Sequence, residues 1–409
     1  MAGGKGTRIA SVNSDVPKPM IPIDGKPILE YQINALAAQG YCEIILIIGH
    51  LGHVIRDYFE DGSKWNVQIS YIEENTPLGT AGALFYLKEQ IKDDFLLLNG
   101  DIIFDVDIRR FLAYHKAQGT MATILTHPNS HPYDSGIIVA DNDGRATNWL
   151  HKEDPRLWYR NRVNAGLHML SPRIFSFFSD LQKKDLDRDI LKPLIIQREL
   201  SVYDSPEYIK DMGTPDRYYS VIEDIHSGKV AAKNLARKQK AIFLDRDGTI
   251  NKYVGFLTNI DEFELLDGVA EAIRQINESG YLAIVASNQP VIARGEVSPE
   301  ELQEIHNKME TLLGQKGAYL DAIFYCPHHP HKGYEGERPE YKIECECRKP
   351  KPGMLLAAAE KYNIDLTQSW MIGDSDNDIE AGQAAGCRVI KVNTNSSELS
   401  SAVKMILNQ

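Results

Sequence analysis

Two aspartates separated by one residue carry the clearest chemical signal in the chain. Asp245 and Asp247 follow the apolar run 241–244 and open into a turn at Gly248. A carboxylate in the first position can attack phosphorus, and one in the second can protonate a leaving oxygen and later activate water. The pair is therefore a candidate site of phosphoryl transfer.

Further carboxylates follow a second apolar run in the same half of the chain. Asp374 and Asp378 come directly after residues 370–372. Carboxylates crowded at one sheet edge repel each other unless a cation is present, so the sequence predicts a Mg²⁺ site. Ser287 and Lys349 are candidate ligands of the transferring phosphoryl group, although each alone is more typical of an ordinary surface residue.

Three thiols and one imidazole lie within a short stretch of the second half: Cys326, His328, Cys345 and Cys347. Together they complete a tetrahedral set for Zn²⁺ with no position left for water, which predicts a structural and not a catalytic zinc. The polar segment 333–342 between them is unlikely to bury itself, so metal binding would supply its order. His329 and His331 are less favoured substitutes for His328.

A glycine-rich opening segment predicts a phosphate cradle in the first half. Its residues are Gly3, Gly4, Lys5, Gly6, Thr7 and Arg8. Glycines let backbone N–H groups approach phosphate oxygens, while the cations offset phosphate charge. Lys18, between two prolines, presents another cation. Asp101 follows the apolar run 95–98, and Asp211 supplies a second carboxylate, so both are candidate Mg²⁺ ligands.

The elements that must position these residues alternate between strand and helix patterns. Strands are predicted at 43–48, 67–72, 95–98, 121–125, 241–244, 281–286, 322–325, 370–372 and 388–392. Helices are predicted over 28–38, 81–91, 269–278, 299–313, 353–362 and 379–385. The alternation predicts two Rossmann-like α/β domains, the first with a mixed, mostly parallel sheet. A basic stretch sets the boundary, giving domains at 1–222 and 240–409 and a linker at 223–239.

Composition narrows the classes of protein to which the chain can belong. Its 409 residues are 43% hydrophobic and 25% charged, as in ordinary globular proteins. The net charge of −12 argues against a nucleic-acid partner. The longest apolar runs are too short to span a bilayer, and the first twenty residues contain no signal peptide. We therefore expect a cytoplasmic enzyme.

Ordered motifs of the first half resemble the sugar-1-phosphate nucleotidylyltransferase family over about residues 1–219. They are the loop at 3–8, Pro17-Lys18-Pro19, the segment 77–82, Asn99-Gly100-Asp101, the segment 163–166 and Asp211-Met212-Gly213. The resemblance implies that Arg8 and Lys18, with the glycine loop, hold a nucleoside triphosphate. It also implies base contacts by Gly79, Thr80 and Gly82, sugar contacts by Asn164 and Gly166, and Mg²⁺ on Asp101 and Asp211.

The family also has a buried strand directly before the glycine loop. The numbering here begins at the loop itself. We therefore expect either a start farther upstream or a first domain that lacks one strand and could lack its activity.

The motifs of the second half resemble the haloacid dehalogenase phosphatases over about residues 240–407. The resemblance implies that Asp245 is the nucleophile and Asp247 the general acid and base. It implies that Ser287 and Lys349 stabilise the phosphoryl group. The Mg²⁺ ligands that it implies are Asp245, Asp374 and Asp378, and we count Asp247 among the predicted metal ligands.

The cysteine-bearing loop and the Arg348-Lys349-Pro350 segment narrow this resemblance to heptose 1,7-bisphosphate phosphatases and histidinol phosphatases. The length of the loop favours the former. Arg348 suits recognition of a second phosphate by a bidentate guanidinium. Asn288 is expected to bind substrate, in a segment, 288–291, that departs from the usual family sequence.

The two halves together resemble bifunctional enzymes of GDP-D-glycero-α-D-manno-heptose synthesis. The resemblance implies removal of the 7-phosphate from heptose 1,7-bisphosphate and transfer of GMP from GTP to heptose 1-phosphate, with small-molecule substrates and a possible homo-oligomer. One alternative is a histidinol-phosphatase-like enzyme fused to a hexose-1-phosphate nucleotidylyltransferase. Another is an active phosphatase regulated by a first domain that binds a nucleotide sugar.

Overall fold

The computed structural model describes residues 1, 16–333 and 335–409, in two compact units. The first unit consists of Met1–Thr126, Ile138–Trp149 and Asn164–Ala231, and the second of His127–Ile137, Leu150–Val163 and Ala232–Gln409. The predicted loop residues Gly3, Gly4, Gly6, Thr7 and Arg8 lie outside the described residues. Among those described, no helix has both the length and the apolar character to cross a membrane.

Short strands and helices alternate through the N-terminal half of the chain. The strands are β1 Pro22–Ile23, β2 Lys26–Pro27, β3 Glu43–Ile48, β4 Gln68–Glu73, β5 Phe95–Leu98, β6 Ile102–Asp105, β7 Ala122–His127, β8 Ile137–Ala140, β9 Ala146–Leu150, β10 Val163–Leu170, β11 Leu200–Asp204 and β12 Tyr208–Asp211. The helices are α1 Ile28–Ala37, α2 Gly52–Phe59, α3 Ile108–Gln118, α4 Lys192–Ile196, α5 Pro215–His226 and α6 Lys229–Ala232.

The main sheet of this half is mixed, as predicted. Its order is β11-β7-β10-β8-β9, with β5 pairing β10. Strands β11 and β7 are parallel, whereas β5 and β8 run antiparallel to β10. Two smaller ladders, the parallel pair β3 and β4 and the antiparallel pair β6 and β12, accompany it.

Five parallel strands form the sheet of the C-terminal half, and this confirms the predicted Rossmann-like domain. The strands are β13 Lys240–Leu244, β14 Tyr281–Asn288, β15 Ala322–Cys326, β16 Trp370–Gly373 and β17 Arg388–Lys391. The helices are α7 Val269–Glu278, α8 Pro299–Gln315, α9 Gly353–Tyr362, α10 Asp376–Ala385 and α11 Glu398–Leu407. The order β15-β14-β13-β16-β17 makes β13 central, which is why residues 241–244 are apolar and fully buried.

The predicted helix over 81–91 is wrong in type, because the structure has a 3-10 helix over Gly82–Leu87. A Cβ on Gly82 would lie 2.4 Å from the carbonyl oxygen of Gln182, so the chain approaches too closely for a larger residue. The segment predicted as a linker contains the end of α5 and all of α6, and its residues from Ala232 onward already belong to the second compact unit.

Two excursions of the N-terminal half, 127–137 and 150–163, belong to the second unit. Arg162 holds one of them in place: its side chain is 2% exposed and its guanidinium lies 3.1 Å from the carboxylate of Glu310 on α8. It also donates to the carbonyl oxygen of Asp321 at 3.0 Å. Nearby, the Tyr159 amide donates to the Thr311 hydroxyl. A buried, charge-assisted contact of this kind makes the excursion part of the folded unit.

We expect Arg162→Met to destabilise the full chain by about 3–5 kcal/mol, because it removes the guanidinium from a buried carboxylate. The double variant Arg162→Met/Glu310→Met should be less destabilised than the single variant, since neither charge is then buried. Urea unfolding followed by tryptophan fluorescence measures both. The matched control is Arg274→Met, which removes an exposed arginine of α7 and should change little. Equal effects at both arginines would contradict the prediction.

Candidate active sites and metal centre

The nucleophile candidate Asp245 lies immediately after the central strand and contacts a buried lysine. Its Oδ1 lies 2.6 Å from Lys349 Nζ, and Lys349 is only 3% exposed. The same ammonium lies 2.5 Å from Asp378 Oδ1 and donates to the Ala286 carbonyl oxygen at 2.7 Å. One cation therefore joins two of the predicted carboxylates to the end of the neighbouring strand.

Three carboxylates converge at this position. Ligand atoms of Asp245, Asp374 and Asp378 all lie within 4.8 Å of one another. Strands β13 and β16 are adjacent and parallel, so their carboxyl ends bring Asp245 and Asp374 to one edge. Gly248, at φ +86°, allows the approach, because a Cβ there would lie 2.3 Å from Asp374 Oδ2. Three oxygen donors in one pocket fit Mg²⁺.

Burial controls the charge of the nucleophile. It raises the pKa of the Asp245 carboxyl to about 7, although the ammonium of Lys349 opposes this and the Asp378 carboxylate adds to it. Desolvation disfavours the ionised form of any buried acid. A bound cation would favour the carboxylate, which is the nucleophilic form.

The Asp247 carboxylate is not a member of this three-carboxylate group among the described residues. It instead accepts from Arg246 Nη2 at 2.8 Å, from Asn251 Nδ2 at 3.0 Å and from Gln289 Nε2 at 2.9 Å. Burial acts to raise the pKa of Asp247, but the Arg246 guanidinium and the amide donors outweigh it and lower the pKa. These contacts place the Asp247 side chain apart from the three-carboxylate group, and its role in proton transfer stays a prediction.

Two predicted residues at the end of β14 have different partners. Ser287 is 1% exposed, and its hydroxyl oxygen accepts from Gln289 Nε2 at 2.7 Å. Because that oxygen is the acceptor, the hydroxyl hydrogen can be donated elsewhere. Asn288, predicted to bind substrate, makes a reciprocal pair of 3.0 Å bonds with the backbone of Lys349. Asn288 thus positions the lysine.

The four predicted zinc ligands come together in the second unit. Sulfur–sulfur distances among Cys326, Cys345 and Cys347 are 3.2 to 3.5 Å, and His328 Nδ1 lies 3.4 Å from Cys347 Sγ. A tetrahedron with Zn–S bonds of about 2.3 Å has edges of roughly 3.8 Å. The observed separations are somewhat shorter than these edges, and three thiols with one imidazole are a donor set typical of Zn²⁺. Arg348, next along the chain, donates to the His328 carbonyl oxygen at 3.1 Å.

The predicted magnesium ligands of the first unit lie side by side. Asp211 faces Ile102 across the β6–β12 ladder, and the Met212 amide donates to the Asp101 carbonyl oxygen at 2.9 Å. The Asp101 carboxylate is in contact with Lys18 Nζ. The Asp211 carboxylate accepts two bonds from Arg217, at 2.8 and 2.9 Å. Since each carboxylate already faces a cation, a second Mg²⁺ site stays a prediction that needs nucleotide phosphates as further ligands.

The residues predicted to meet the sugar adjoin this pair of aspartates. Asn164 Oδ1 accepts from the Gly166 amide at 3.0 Å, and the Gly166 carbonyl oxygen accepts from the Asn99 amide at 3.2 Å. Gly166 has φ +76°, and a Cβ there would lie 3.0 Å from the Asn99 side chain. Strand β10 therefore presents Asn164 and Gly166 beside the segment that ends in Asp101.

The residues predicted to line the base pack against the protein's own chain. A Cβ on Gly79 would lie 2.4 Å from the Lys184 carbonyl oxygen. The Thr80 hydroxyl accepts from the Leu186 amide at 2.7 Å. Gly82 makes a similar close approach to Gln182. In this structure the three residues hold the segment 182–186, and their contact with a base stays a prediction.

Sequence reasoning missed the residues that hold the charged groups in place. Arg246, Gln289 and Arg217 each contact a predicted catalytic or metal-binding aspartate. Only Arg246 carried a local signal, since it stands between the two aspartates of the first motif. Gln289 is distant in sequence from Asp247, and Arg217 lies on helix α5 after Asp211. The spacing of residues in the sequence therefore did not reveal either contact.

Comparison with known proteins assigns families to both halves. Residues 1–228 match the nucleotidyl transferase family, and residues 346–406 match the HAD-hydrolase-like family. The D-glycero-beta-D-manno-heptose-1,7-bisphosphate 7-phosphatase of Pasteurella multocida is 46% identical over 147 residues, which are 36% of this chain and 77% of that protein.

Two solved structures are also similar to parts of the chain. HddC from Yersinia pseudotuberculosis is 27% identical and the match covers 55% of this chain and 96% of that one, with a TM-score of 0.47. The D,D-heptose 1.7-bisphosphate phosphatase from B. bronchiseptica, complexed with magnesium and phosphate, is 33% identical and the match covers 42% of this chain and 99% of that one, with a TM-score of 0.37.

We expect purified protein to retain one zinc ion per chain after dialysis, and Cys345→Ser to lose it with a fall in Tm, because three ligands hold the metal less tightly than four. Elemental analysis and thermal unfolding measure these effects. The control is Cys42→Ser, which changes an exposed cysteine outside the cluster and should keep the zinc. Zinc-free protein with an unchanged Tm would contradict the assignment.

Proposed function

The chain belongs to the nucleotidyl transferase family through residues 1–228 and to the family of heptose-bisphosphate 7-phosphatases, and on this premise we propose that it is bifunctional. One site hydrolyses the 7-phosphate of D-glycero-α-D-manno-heptose 1,7-bisphosphate. The other transfers GMP from GTP to the resulting heptose 1-phosphate and releases pyrophosphate. The observation that carries the proposal is the convergence of three carboxylates, two of which contact one buried lysine.

In the hydrolytic reaction, Asp245 attacks phosphorus and the sugar oxygen leaves with a proton from Asp247. The acyl phosphate on Asp245 is then hydrolysed by water that gives a proton to Asp247. Lys349 and the Ser287 hydroxyl offset the charge of the phosphoryl oxygens. Mg²⁺ on Asp245, Asp374 and Asp378, when bound, would supply further charge neutralisation.

Nucleotidyl transfer needs no covalent intermediate. An oxygen of the sugar 1-phosphate attacks the α-phosphorus of GTP, and pyrophosphate leaves along the opposite direction. The proposal assigns Lys18, with Arg8 of the glycine loop, to the triphosphate and Asn164 and Gly166 to the sugar. It is supported by the short chain of contacts from Lys18 through Asp101 to the Asn99 segment beside Gly166. The choice of GTP rests on family resemblance.

The two reactions are consecutive. Removal of one phosphate from a sugar bisphosphate yields a sugar 1-phosphate, which is the nucleophile of the second reaction. A single chain keeps the two sites at equal number and raises their local concentration. The relative from Pasteurella carries the β anomer in its name, whereas the proposal here names the α anomer.

Mass spectrometry of the products tests both activities at once. We expect heptose 1,7-bisphosphate, GTP and Mg²⁺ to yield GDP-heptose, phosphate and pyrophosphate, with the α anomer consumed faster than the β anomer. The four nucleoside triphosphates are compared in parallel. Faster phosphate release from histidinol phosphate would favour the alternative phosphatase. The same test is made on this chain and on one extended upstream. If both release phosphate but neither releases pyrophosphate, the result would favour an active phosphatase regulated by a first domain that binds a nucleotide sugar.

We expect Asp245→Asn to abolish phosphate release, because the amide is a poor nucleophile for phosphorus. Transfer of GMP to supplied heptose 1-phosphate should persist at the parent rate, since the variant leaves Lys18 and Asp101 unchanged. The matched variant Asp101→Asn should show the reverse pattern. Coupled assays of phosphate and pyrophosphate measure the two activities. Loss of both in either variant would contradict two independent sites.

A further inference from the structure

One arginine in the phosphatase site is fully buried and has no assigned task. Arg246 lies between Asp245 and Asp247 and is 0% exposed. Its Nη2 lies 2.9 Å from Asp247 Oδ1 and 2.8 Å from Oδ2, and its Nε lies 3.1 Å from Oδ1. A planar guanidinium that contacts both oxygens of one carboxylate restricts the plane of that carboxylate as well as its position.

Two further side chains hold the guanidinium itself. Gln289 Oε1 accepts from Arg246 Nη2 at 3.0 Å, and His306 Nε2 lies 3.3 Å from Nη1. Since a guanidinium only donates, His306 Nε2 must be the acceptor and the ring is neutral. Burial and the neighbouring Arg246 lower the pKa of His306 to about 3, in agreement with the neutral ring.

The orientation of the Gln289 amide follows from the same bonds. With Oε1 on Arg246, its Nε2 donates to Asp247 Oδ2 at 2.9 Å and to Ser287 Oγ at 2.7 Å. Gln289 thus connects the residue proposed to bind the phosphoryl group with the proposed general acid. Arg246, Ser287, Gln289 and His306 are buried, whereas the Asp247 side chain is 19% exposed, so the side chains that hold the carboxylate are shielded from water while the carboxylate itself stays accessible.

We infer that Arg246, held by Gln289 and His306, is the positioning residue that fixes Asp247 for proton transfer to the leaving oxygen. The inference rests on the proposed phosphatase activity. In the first step the phosphorus–oxygen bond to Asp245 forms, the bond to the sugar oxygen breaks, and the Asp247 proton moves to that oxygen. In the second step Asp247 accepts a proton from the attacking water as the acyl phosphate is cleaved. Arg246 keeps its own protons throughout.

The first test is a double-mutant cycle on heptose 1,7-bisphosphate. We expect Arg246→Met to lower kcat/KM by about a hundredfold, the size of a lost general acid, and to do so through kcat more than KM. In an Asp247→Asn background the same substitution should change kcat/KM by less than about twofold, because the arginine acts through Asp247. Arg246→Lys should restore part of the loss, since it keeps the charge but not the fork.

The second test varies the leaving group. An aryl phosphate such as p-nitrophenyl phosphate needs no acid to form the acyl phosphate, and kcat/KM reports only the steps up to that point. Arg246→Met should therefore lower kcat/KM far less for p-nitrophenyl phosphate than for a sugar phosphate. If Arg246→Met does not fold, Gln289→Leu, which removes a donor to Asp247, should show the same difference between leaving groups. Arg274→Met, on the surface of α7, is the control.

The inference is overturned if Arg246→Met lowers kcat/KM equally for alkyl and aryl phosphates, or by the same factor with and without Asp247. Either result would indicate a purely structural arginine. A parent enzyme that fails to cleave heptose bisphosphate would contradict the proposed function instead. Alkyl and aryl phosphates would then be compared by using another alkyl phosphate that the enzyme does cleave. This distinguishes failure of the proposed substrate from failure of the role inferred for Arg246.

Discussion

The phosphatase unit is organised around the mutual repulsion of carboxylates in a buried space. Asp245, Asp374 and Asp378 lie within a few ångströms of one another, and the ammonium of Lys349 is the cation that contacts two of them. Unpaired charges at this depth are strongly destabilising. The group is therefore stable only with a cation beside it, and this requirement is the physical reason for proposing that Mg²⁺ and a phosphoryl group bind there.

Much of the surrounding structure holds that cation in place. Asn288, at the end of β14, forms hydrogen bonds with both the amide and the carbonyl oxygen of Lys349. The Lys349 ammonium donates to the Ala286 carbonyl oxygen. The zinc-ligand cluster precedes Lys349 by only two residues, at Cys347. A metal bound by this cluster would fix the loop and limit the freedom of the lysine without itself taking part in the reaction.

The chain does not divide where its sequence changes character. The excursions 127–137 and 150–163 come from the N-terminal half but belong to the second compact unit. Arg162 anchors the later excursion to Glu310 on α8, and α8 also carries His306, which contacts Arg246. Folding of the phosphatase unit thus depends on residues that precede strand β13 by many positions.

The sequence by itself determined the α/β class and the apolar strand 241–244, and it predicted the cluster of three cysteines and one histidine that the structure brings together, because these depend on local pattern and on the tetrahedral coordination that zinc favours. It also predicted which aspartates follow strands, since parallel strands bring their carboxyl ends to one edge. Only the tertiary structure decided that Asp247 faces Arg246 and Gln289 and that Arg162 pairs with Glu310. The Arg162–Glu310 and Gln289–Asp247 contacts join residues that are far apart in the chain. The Arg246–Asp247 contact joins neighbours, but it depends on the direction in which each side chain points. They are charge-assisted hydrogen bonds that offset the cost of burying the charges, and which groups are buried together is not encoded in local spacing.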